Sequence, residues 1–222
     1  MTDHTVDFIS SQHKSTKRDY VARVVEFPKA ECAKVARQFG RDYWDGERQY
    51  GYGGYRYDGR WAPIAQAMVA HYGLKAHHKV LDVGCGKAFL LYELWKAVPG
   101  LEVVGIDVSQ WGIDHAPEEI RPFLQLGQAQ QLPFADQSFD FVLSLNVLHN
   151  LYNYDLFKAL QEIQRVGKQH RYLVVESYRS EEEKANLLYW QLTCESFYTP
   201  QEWKWFYDLA GYQGDYSFIY FE

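Results

Sequence analysis

The sequence predicts an α/β fold, and three observations carry that prediction. A short apolar run, Lys79 to Val83, is followed by a glycine turn at Gly84 and Gly86, then by apolar residues at helical spacing (Phe89, Leu90, Leu94, Val98) that stop at Pro99-Gly100. A continuous apolar run bounded by polar residues reads as a buried parallel strand, so this unit is strand, turn, helix. Three further apolar runs, Leu101 to Asp107, Phe139 to Asn146 and Tyr172 to Glu176, alternate with helical stretches at Val108 to Ala116 and Tyr154 to Val166.

The elements follow in order. Residues 1–28 are polar and poorly periodic, and we expect an arm that lies on the body or orders on binding. Residues 29–40 hold helix formers and an apolar stripe, with Gly40 as the expected stop. Residues 41–61 place five glycines and seven aromatics in 21 positions, so no helical or strand period survives. A long irregular segment in a small domain is usually functional. We expect a lid whose Tyr55, Tyr57 and Trp61 rings meet a substrate; the plainer alternative is a glycine-aromatic loop packed on the surface. Pro63 opens a helix through His71, and Gly73 closes it before the first strand. Near the end, residues 180–196 look helical, and Thr199-Pro200-Gln201-Glu202 carries a cap, a first-turn proline and an acid three positions after the cap. The aromatic tail from Gly214 to Glu222 reads as one edge strand.

The glycine turn indicates a ligand laid against bare backbone. A dinucleotide fingerprint needs a third glycine where Phe89 stands, and a phosphate loop needs Ser or Thr where Ala88 stands. What remains is Asp82-Val83-Gly84-Cys85-Gly86, an acid just ahead of the turn, which suits a cationic ligand. The second strand ends in Asp107, 25 positions after Asp82. A carboxylate at that strand end accepts hydrogen bonds from both hydroxyls of a ribose; the alternative is a cap for the next helix.

The stretch Asp82 to Ala88 resembles the first motif of the class I S-adenosylmethionine-dependent methyltransferases, with Ala88 replacing the usual last glycine. Gly127 to Asp140 (Gly-Gln-Ala-Gln-Gln-Leu-Pro-Phe-Ala-Asp-Gln-Ser-Phe-Asp) resembles the third signature of that family, with Gln128 where Asp is usual. Phe139 to Leu151 resembles the fourth. The resemblance spans about residues 60–215, with its motifs in the family's order. It implies a Rossmann-like, mostly parallel twisted sheet with helices on both faces. The family normally ends in two antiparallel strands, so the single tail strand implies a shortened C-terminal edge.

The resemblance also implies the cofactor S-adenosylmethionine. Asp82, Gly84, Cys85, Gly86 and Asn146 would line it, Asp107 would hold the ribose, Val108 would flank the adenine, and Gln128 and Ala129 would meet the adenine edge. Ligands in such sheets lie beyond the carboxyl ends of the strands. Asn146, His149 and Asn150 therefore lie nearest the expected methyl group, with Glu176 and Tyr178 at the end of the fifth strand. His149 and Glu176 are the candidate bases, and Asn150 and Tyr178 join the substrate set. For His149 the alternative is a structural role at the following helix.

Composition narrows the classes. At 222 residues the chain is long enough for one full core, and 47% hydrophobic residues suit a globular protein. A formal charge of −6, with no basic run longer than Lys14 to Arg18, argues against nucleic acid. Three widely spaced cysteines give neither a disulfide framework nor a metal spacing. No signal peptide and no run of membrane length are present, so a cytoplasmic protein is expected. The expected organisation is an arm, helix and lid in residues 1–60 and a methyltransferase domain in 61–222. The expected activity is in-line methyl transfer to an O or N nucleophile of a small polar metabolite, by a monomer or homodimer. The alternatives are a protein methyltransferase and a non-catalytic module that keeps the cofactor fold.

Overall fold

A computed structural model describes residues 4–14 and 18–222. The middle of the basic run Lys14 to Arg18, and the first three residues of the arm, lie outside the described residues. The strands are β1 (Lys79–Val83), β2 (Glu102–Asp107), β3 (Leu124–Leu126), β4 (Phe139–Leu145), β5 (Gly167–Glu176) and β6 (Asp215–Ile219). The helices are α1 (Ser10–Lys14), α2 (Tyr20–Glu26), α3 (Lys29–Ala36), α4 (Arg41–Asp45), α5 (Ala62–Tyr72), α6 (Phe89–Ala97), α7 (Gln110–Asp114), α8 (Asn153–Val166), α9 (Glu181–Trp190) and α10 (Pro200–Ala210).

The sheet order is β3-β2-β1-β4-β5-β6, and each neighbouring pair is parallel. Parallel neighbours need crossover connections, which the helices provide. Strand residues alternate between two cores. Val80, Phe141, Leu143, Tyr172 and Val174 pack with α5 and α6, while Leu81, Val142, Leu173 and Val175 pack with α8 and α10. This explains the unbroken apolar runs: a strand covered on both faces has no solvent side to mark.

The tail does form one strand, and β6 runs parallel to β5 after the crossover through α9 and α10. Its outer side is met by the arm, where Val6 N–H donates to Tyr216 O (3.1 Å) and Tyr216 N–H donates to His4 O (3.0 Å). Phe8 packs edge-on against Tyr172 at 5.2 Å, and Ile9 is buried. Residues 4–9 of the arm are therefore packed on the body.

Several boundaries differ from expectation: β5 begins at Gly167 rather than Tyr172, β6 is confined to Asp215–Ile219, and the segment 41–61 opens with the short helix α4, while two helices end early. The helix expected over 29–40 stops at Ala36, because Phe39 rather than Gly40 takes the left-handed conformation (φ 48°) and Gly40 instead precedes α4. The helix expected over 180–196 stops at Trp190. Beyond it Gln191 bonds the Glu176 carboxyl, and Thr193 Oγ1 donates to Asn150 Oδ1 (2.8 Å), contacts a continued helix would turn away. The cap at Thr199 forms as its residues require, with Glu202 N–H donating to Thr199 Oγ1 (3.3 Å) and Thr199 N–H to Glu202 Oε2 (2.8 Å). Among the described residues no helix is long and apolar enough to cross a membrane.

Candidate active site

The strand order reverses between β1 and β4, so the loops after their carboxyl ends part and leave a crevice. A cavity of about 200 Å³ fills it, lined by Gly84, Asp107, Val108, residues 127–130, Asn146, Val147 and Asn150, with Phe39, Tyr43, Trp44 and Tyr52 opposite. The turn after β1 holds Gly84, Gly86 and Ala88 at φ 82°, 56° and 54°. A side chain on Gly84 would begin 2.1 Å from Val147 Cγ2, and one on Gly86 would begin 2.6 Å from Trp44 Cη2. Both glycines are thus fixed by close approach as well as by backbone conformation. Ala88 tolerates the left-handed region at a cost of about 1 kcal/mol.

Asp107 closes β2 with its carboxylate turned back over the turn. Oδ2 accepts from Gly86 N–H (2.7 Å) and Oδ1 from Ser109 N–H (2.7 Å). An ionised carboxylate has about four lone-pair positions, so roughly two remain for a ligand on the cavity side. Burial pushes the Asp107 carboxyl up from its ordinary range, and the backbone N–H groups oppose that shift. Asp107 does not cap α7; Ser109 does, accepting from Gly112 N–H at 2.9 Å. Asp82 lies behind the turn, 5% exposed and off the cavity wall, its carboxyl pushed up to about 8 by burial and then by Asp107. After β3, Gly127 N–H donates to Asp107 O (2.9 Å), which brings Gln128, Ala129 and Gln130 to the rim. Gln128 Oε1 accepts from Gln130 Nε2 at 3.2 Å.

The glycine-aromatic segment forms the opposite wall. Gly51 allows the chain to double back: a Cβ there would sit 2.2 Å from Tyr43 O. Tyr52 N–H then donates to Tyr43 O (2.8 Å), and Trp44 and Tyr52 stack at 5.1 Å. The wall is bolted to the first motif. Lys87 is only 4% exposed and donates to Asp45 Oδ1 (2.6 Å), Asp45 Oδ2 (2.8 Å) and Tyr55 O (2.8 Å). Trp111 Nε1 donates to the same carboxylate at 2.7 Å, and Trp44 Nε1 donates to Ser109 Oγ at 2.8 Å. Burial opposes ionisation of Asp45, but the bonds from Lys87 and Trp111 hold its carboxyl below the usual range.

A second cavity of about 440 Å³ adjoins the first, and the two share Tyr43, Tyr52 and Asn146 as common wall. Asn146 stands at φ 59°, a conformation Asn tolerates, and its buried Oδ1 has no hydrogen-bond partner among the described residues. Glu176 opens on this second cavity, and its Oε2 is likewise buried without a hydrogen-bond partner. Burial pushes the Glu176 carboxyl up to about 8, against a bond from Gln191 and the charge of Arg18. His149 lies behind it, 2% exposed, pushed down to about 3 by burial. Its Nδ1 faces Glu176 N–H (3.3 Å) and its Nε2 faces Glu176 Oε2 (3.4 Å). Burial thus acts against the charged form of both side chains, which favours a neutral pair over an ion pair.

The structure brings Gly84, Asp107, Val108, Gln128, Ala129, Asn146 and Asn150 to the first cavity, and Tyr55, Trp61 and Glu176 to the second. It does not bring the rest. Cys85 and Gly86 lie in the turn off the cavity wall, Gly86 beneath Trp44. Tyr57 turns outward to Glu93 and Lys96, Tyr178 packs in the core, and His149 touches neither cavity. Asn150 is tied on both amide atoms, to Asn146 O (3.3 Å) and Thr193. Of the residues that sequence reasoning misses, Tyr43, Trp44 and Tyr52 have a signal in the aromatic density of 41–61, which does not say which rings face inward, whereas Phe39 and Lys87 have none.

A parallel sheet with a glycine turn after β1, an acid ending β2 and a crevice at the reversal of strand order defines an α/β domain that binds a nucleoside-bearing cofactor. Residues 74–211 match the family model described as a methyltransferase domain, more than half of the chain. The chain belongs to the class I S-adenosylmethionine-dependent methyltransferase family. It is 35% identical over 112 residues to an uncharacterized methyltransferase of Schizosaccharomyces pombe, covering 45% of this chain and 40% of the relative. It is 36% identical over 103 residues to the demethylmenaquinone methyltransferase of Lysinibacillus sphaericus, covering 44% and 43%. The chain thus spans less than half the length of these curated relatives. The YcgJ protein of Bacillus subtilis shares the fold, with TM-score 0.55 and 23% identity over 66% of each chain.

Proposed function

We propose that the chain transfers the methyl group of S-adenosylmethionine to an O or N nucleophile of a small polar metabolite. The observation that carries this is the pair of adjoining cavities sharing Asn146, one with the marks of a nucleoside site and the other with an unpartnered carboxyl oxygen. The cofactor fits the first. Asp107 has lone pairs left for ribose hydroxyls, Val108 supplies an apolar surface that is 51% exposed, and the 127–130 loop offers backbone and Gln128 to a base edge. At about 200 Å³ the cavity lies below the roughly 300–1,000 Å³ of ligand sites, so the stacked Trp44 and Tyr52 shift outward on binding.

The bound cofactor supplies a methyl group on a positively charged sulfur. The chain's own residues then have three tasks. Asn146 offers an oxygen acceptor at the boundary of the cavities and orients a protic nucleophile there. Glu176, whose carboxyl burial pushes up to about 8, takes the proton of that nucleophile in the fraction of molecules that hold it ionised, a fraction that grows as pH approaches 8. His149 touches neither cavity and serves as a positioning residue behind Glu176. The aromatic wall keeps water from the reacting atoms, and holding them at about 3–3.5 Å supplies several kcal/mol of the barrier. The domain division at residue 60 is functional rather than structural in this proposal, since the N-terminal segment completes the site.

Calorimetry with S-adenosylmethionine and its demethylated product tests the cofactor site: saturable binding of both is expected, and no heat at millimolar ligand favours a non-catalytic module. Transfer of labelled methyl to a metabolite extract rather than to intact proteins is the second expected result; label found only in protein supports the protein-methyltransferase alternative.

A further inference from the structure

The second cavity is strongly cationic in a chain whose formal charge is −6. Arg18, Arg23, Arg48 and Arg56 all line it, drawn from the arm, from α2 and from the aromatic segment. Three of them gather on one ring: the guanidinium carbons of Arg18, Arg23 and Arg48 lie 5.5, 4.6 and 5.3 Å from the centre of Trp190. Like charges so close are held in place partly by backbone carbonyls. Arg23 Nε donates to Trp190 O (2.9 Å), and Arg48 Nη1 donates to Gly51 O (2.7 Å). Carbonyls fix the direction of these guanidiniums without neutralising them. Among the described residues no carboxylate pairs with Arg23 or Arg48; Glu176, which also lines this cavity, faces His149 instead. Arg60 is different, because Asp58 pairs with it. Burial lowers the tendency of Arg18, Arg23 and Arg48 to hold their protons, the cost of gathering cations in a partly closed space.

Arg23 is half-buried and Arg48 exposed, so water solvates them in the free protein, and planar guanidiniums gathered on one cavity match carboxylate and phosphate oxygens in pairs. Across the same cavity the buried Oδ1 of Asn146 has no hydrogen-bond donor among the described residues, and the Glu176 side chain lines the wall beside it. We infer that the methyl acceptor is a small anion, bearing a carboxylate or phosphate held by Arg23 and Arg48 against Trp190 and an O–H or N–H nucleophile presented to Asn146 and Glu176. This rests on the methyl-transfer function proposed above and adds the chemical class of the acceptor. The transfer balances: the nucleophile's lone pair forms the new bond to the methyl carbon, the carbon–sulfur bond breaks with its electrons left on sulfur, and the nucleophile's proton passes to Glu176 in the fraction of molecules that hold its carboxyl ionised, a fraction that grows as pH approaches 8.

The test uses the full chain loaded with S-adenosylhomocysteine. Arginine Nε–H and tryptophan indole N–H signals are followed by NMR while sodium acetate, inorganic phosphate or neutral acetamide is added at constant ionic strength. Saturable shifts of the Arg23, Arg48 and Trp190 signals with acetate or phosphate, and none with acetamide, are expected. The stronger of the two anions distinguishes a carboxylate from a phosphate acceptor. Arg48→Gln raises the dissociation constant of that anion at least tenfold; Arg48→Lys, which keeps the charge and serves as the folded reference, raises it less. Equal shifts with acetamide, no saturable shift with either anion, or an unchanged constant in Arg48→Gln overturns the inference. Calorimetric binding of S-adenosylhomocysteine to the same sample separates the two levels: if it is intact the anion site alone has failed, and if it is lost the methyl-transfer function has failed with it.

Discussion

Asp107→Asn puts the greatest weight on the proposed cofactor site. The substitution keeps size and removes charge. In the native chain Oδ2 accepts from Gly86 N–H and Oδ1 from Ser109 N–H, both at 2.7 Å. Asn has one acceptor oxygen and one donor nitrogen, so one of these backbone N–H groups must face an N–H. Losing a charge-assisted bond in a buried site costs about 1.5–3 kcal/mol. For a domain of this size that lowers the melting temperature by roughly 4–10 °C. The remaining lone pairs are those assigned to the ribose hydroxyls, and replacing a charged acceptor by a neutral one there weakens cofactor binding more than tenfold, about 1.4 kcal/mol. Differential scanning calorimetry gives the first number, and titration with S-adenosylhomocysteine gives the second. The second decides. A variant that melts early yet binds the cofactor as tightly as the native chain would show that Asp107 spends its whole hydrogen-bonding capacity on its own backbone, and the ribose assignment would be wrong.

Three further outcomes are expected. Lys87→Met removes the buried cation that ties Asp45 and Tyr55 to the glycine turn; because Asp45 is partly solvated and keeps Trp111, the cost is about 3 kcal/mol, the low end for a broken buried pair, and protease cleavage within residues 46–60 should increase. Gln128→Asp installs a charged acceptor at the proposed adenine edge and should tighten the cofactor by about 1 kcal/mol, roughly fivefold; calorimetry showing no change would place the adenine elsewhere. The carboxyls of Glu176 and Asp82 sit near 8 in the folded chain, above their ordinary values, so the folded state holds protons the unfolded chain has released. Their contribution is complete below about pH 4 and is lost as pH rises through 8, on the order of a few kcal/mol. His149, pushed down to about 3, works in the opposite direction and loses its contribution as pH falls from 6.5 through 3. Urea midpoints should therefore fall from pH 5.5 to pH 8.5, and Glu176→Gln should flatten that slope; an unchanged slope would mean that Glu176 ionises normally.

Much of the sheet was legible because its signals are local. Buried parallel strands appear as unbroken apolar runs, and the turn after β1 favours glycine at two positions because its backbone takes positive φ there. The cap at Thr199 is likewise fixed by a few neighbouring atoms. Asp107 belongs in the same group: the end of a strand beside a glycine turn is a place that short-range geometry alone makes polar.

What only the tertiary structure decided is which distant groups share a space. His149 and Glu176 stand 27 positions apart and were each plausible bases; packing turns one toward the cavity and buries the other behind it. Trp44, Tyr52 and Lys87 gained their roles from contacts 65, 9 and 42 positions away, with Ser109, Tyr43 and Asp45. The arginines on Trp190 were invisible as a cluster because the arm, α2 and the aromatic segment meet only after folding. The sequence by itself determined a parallel sheet, its glycine turn and the acid at the end of β2, since each depends on the backbone and a few adjacent residues. The folded chain alone decided the wall, which candidate base lines a cavity and the charge of the second cavity, since Coulomb and packing energies depend on distance in space, which sequence separation does not measure.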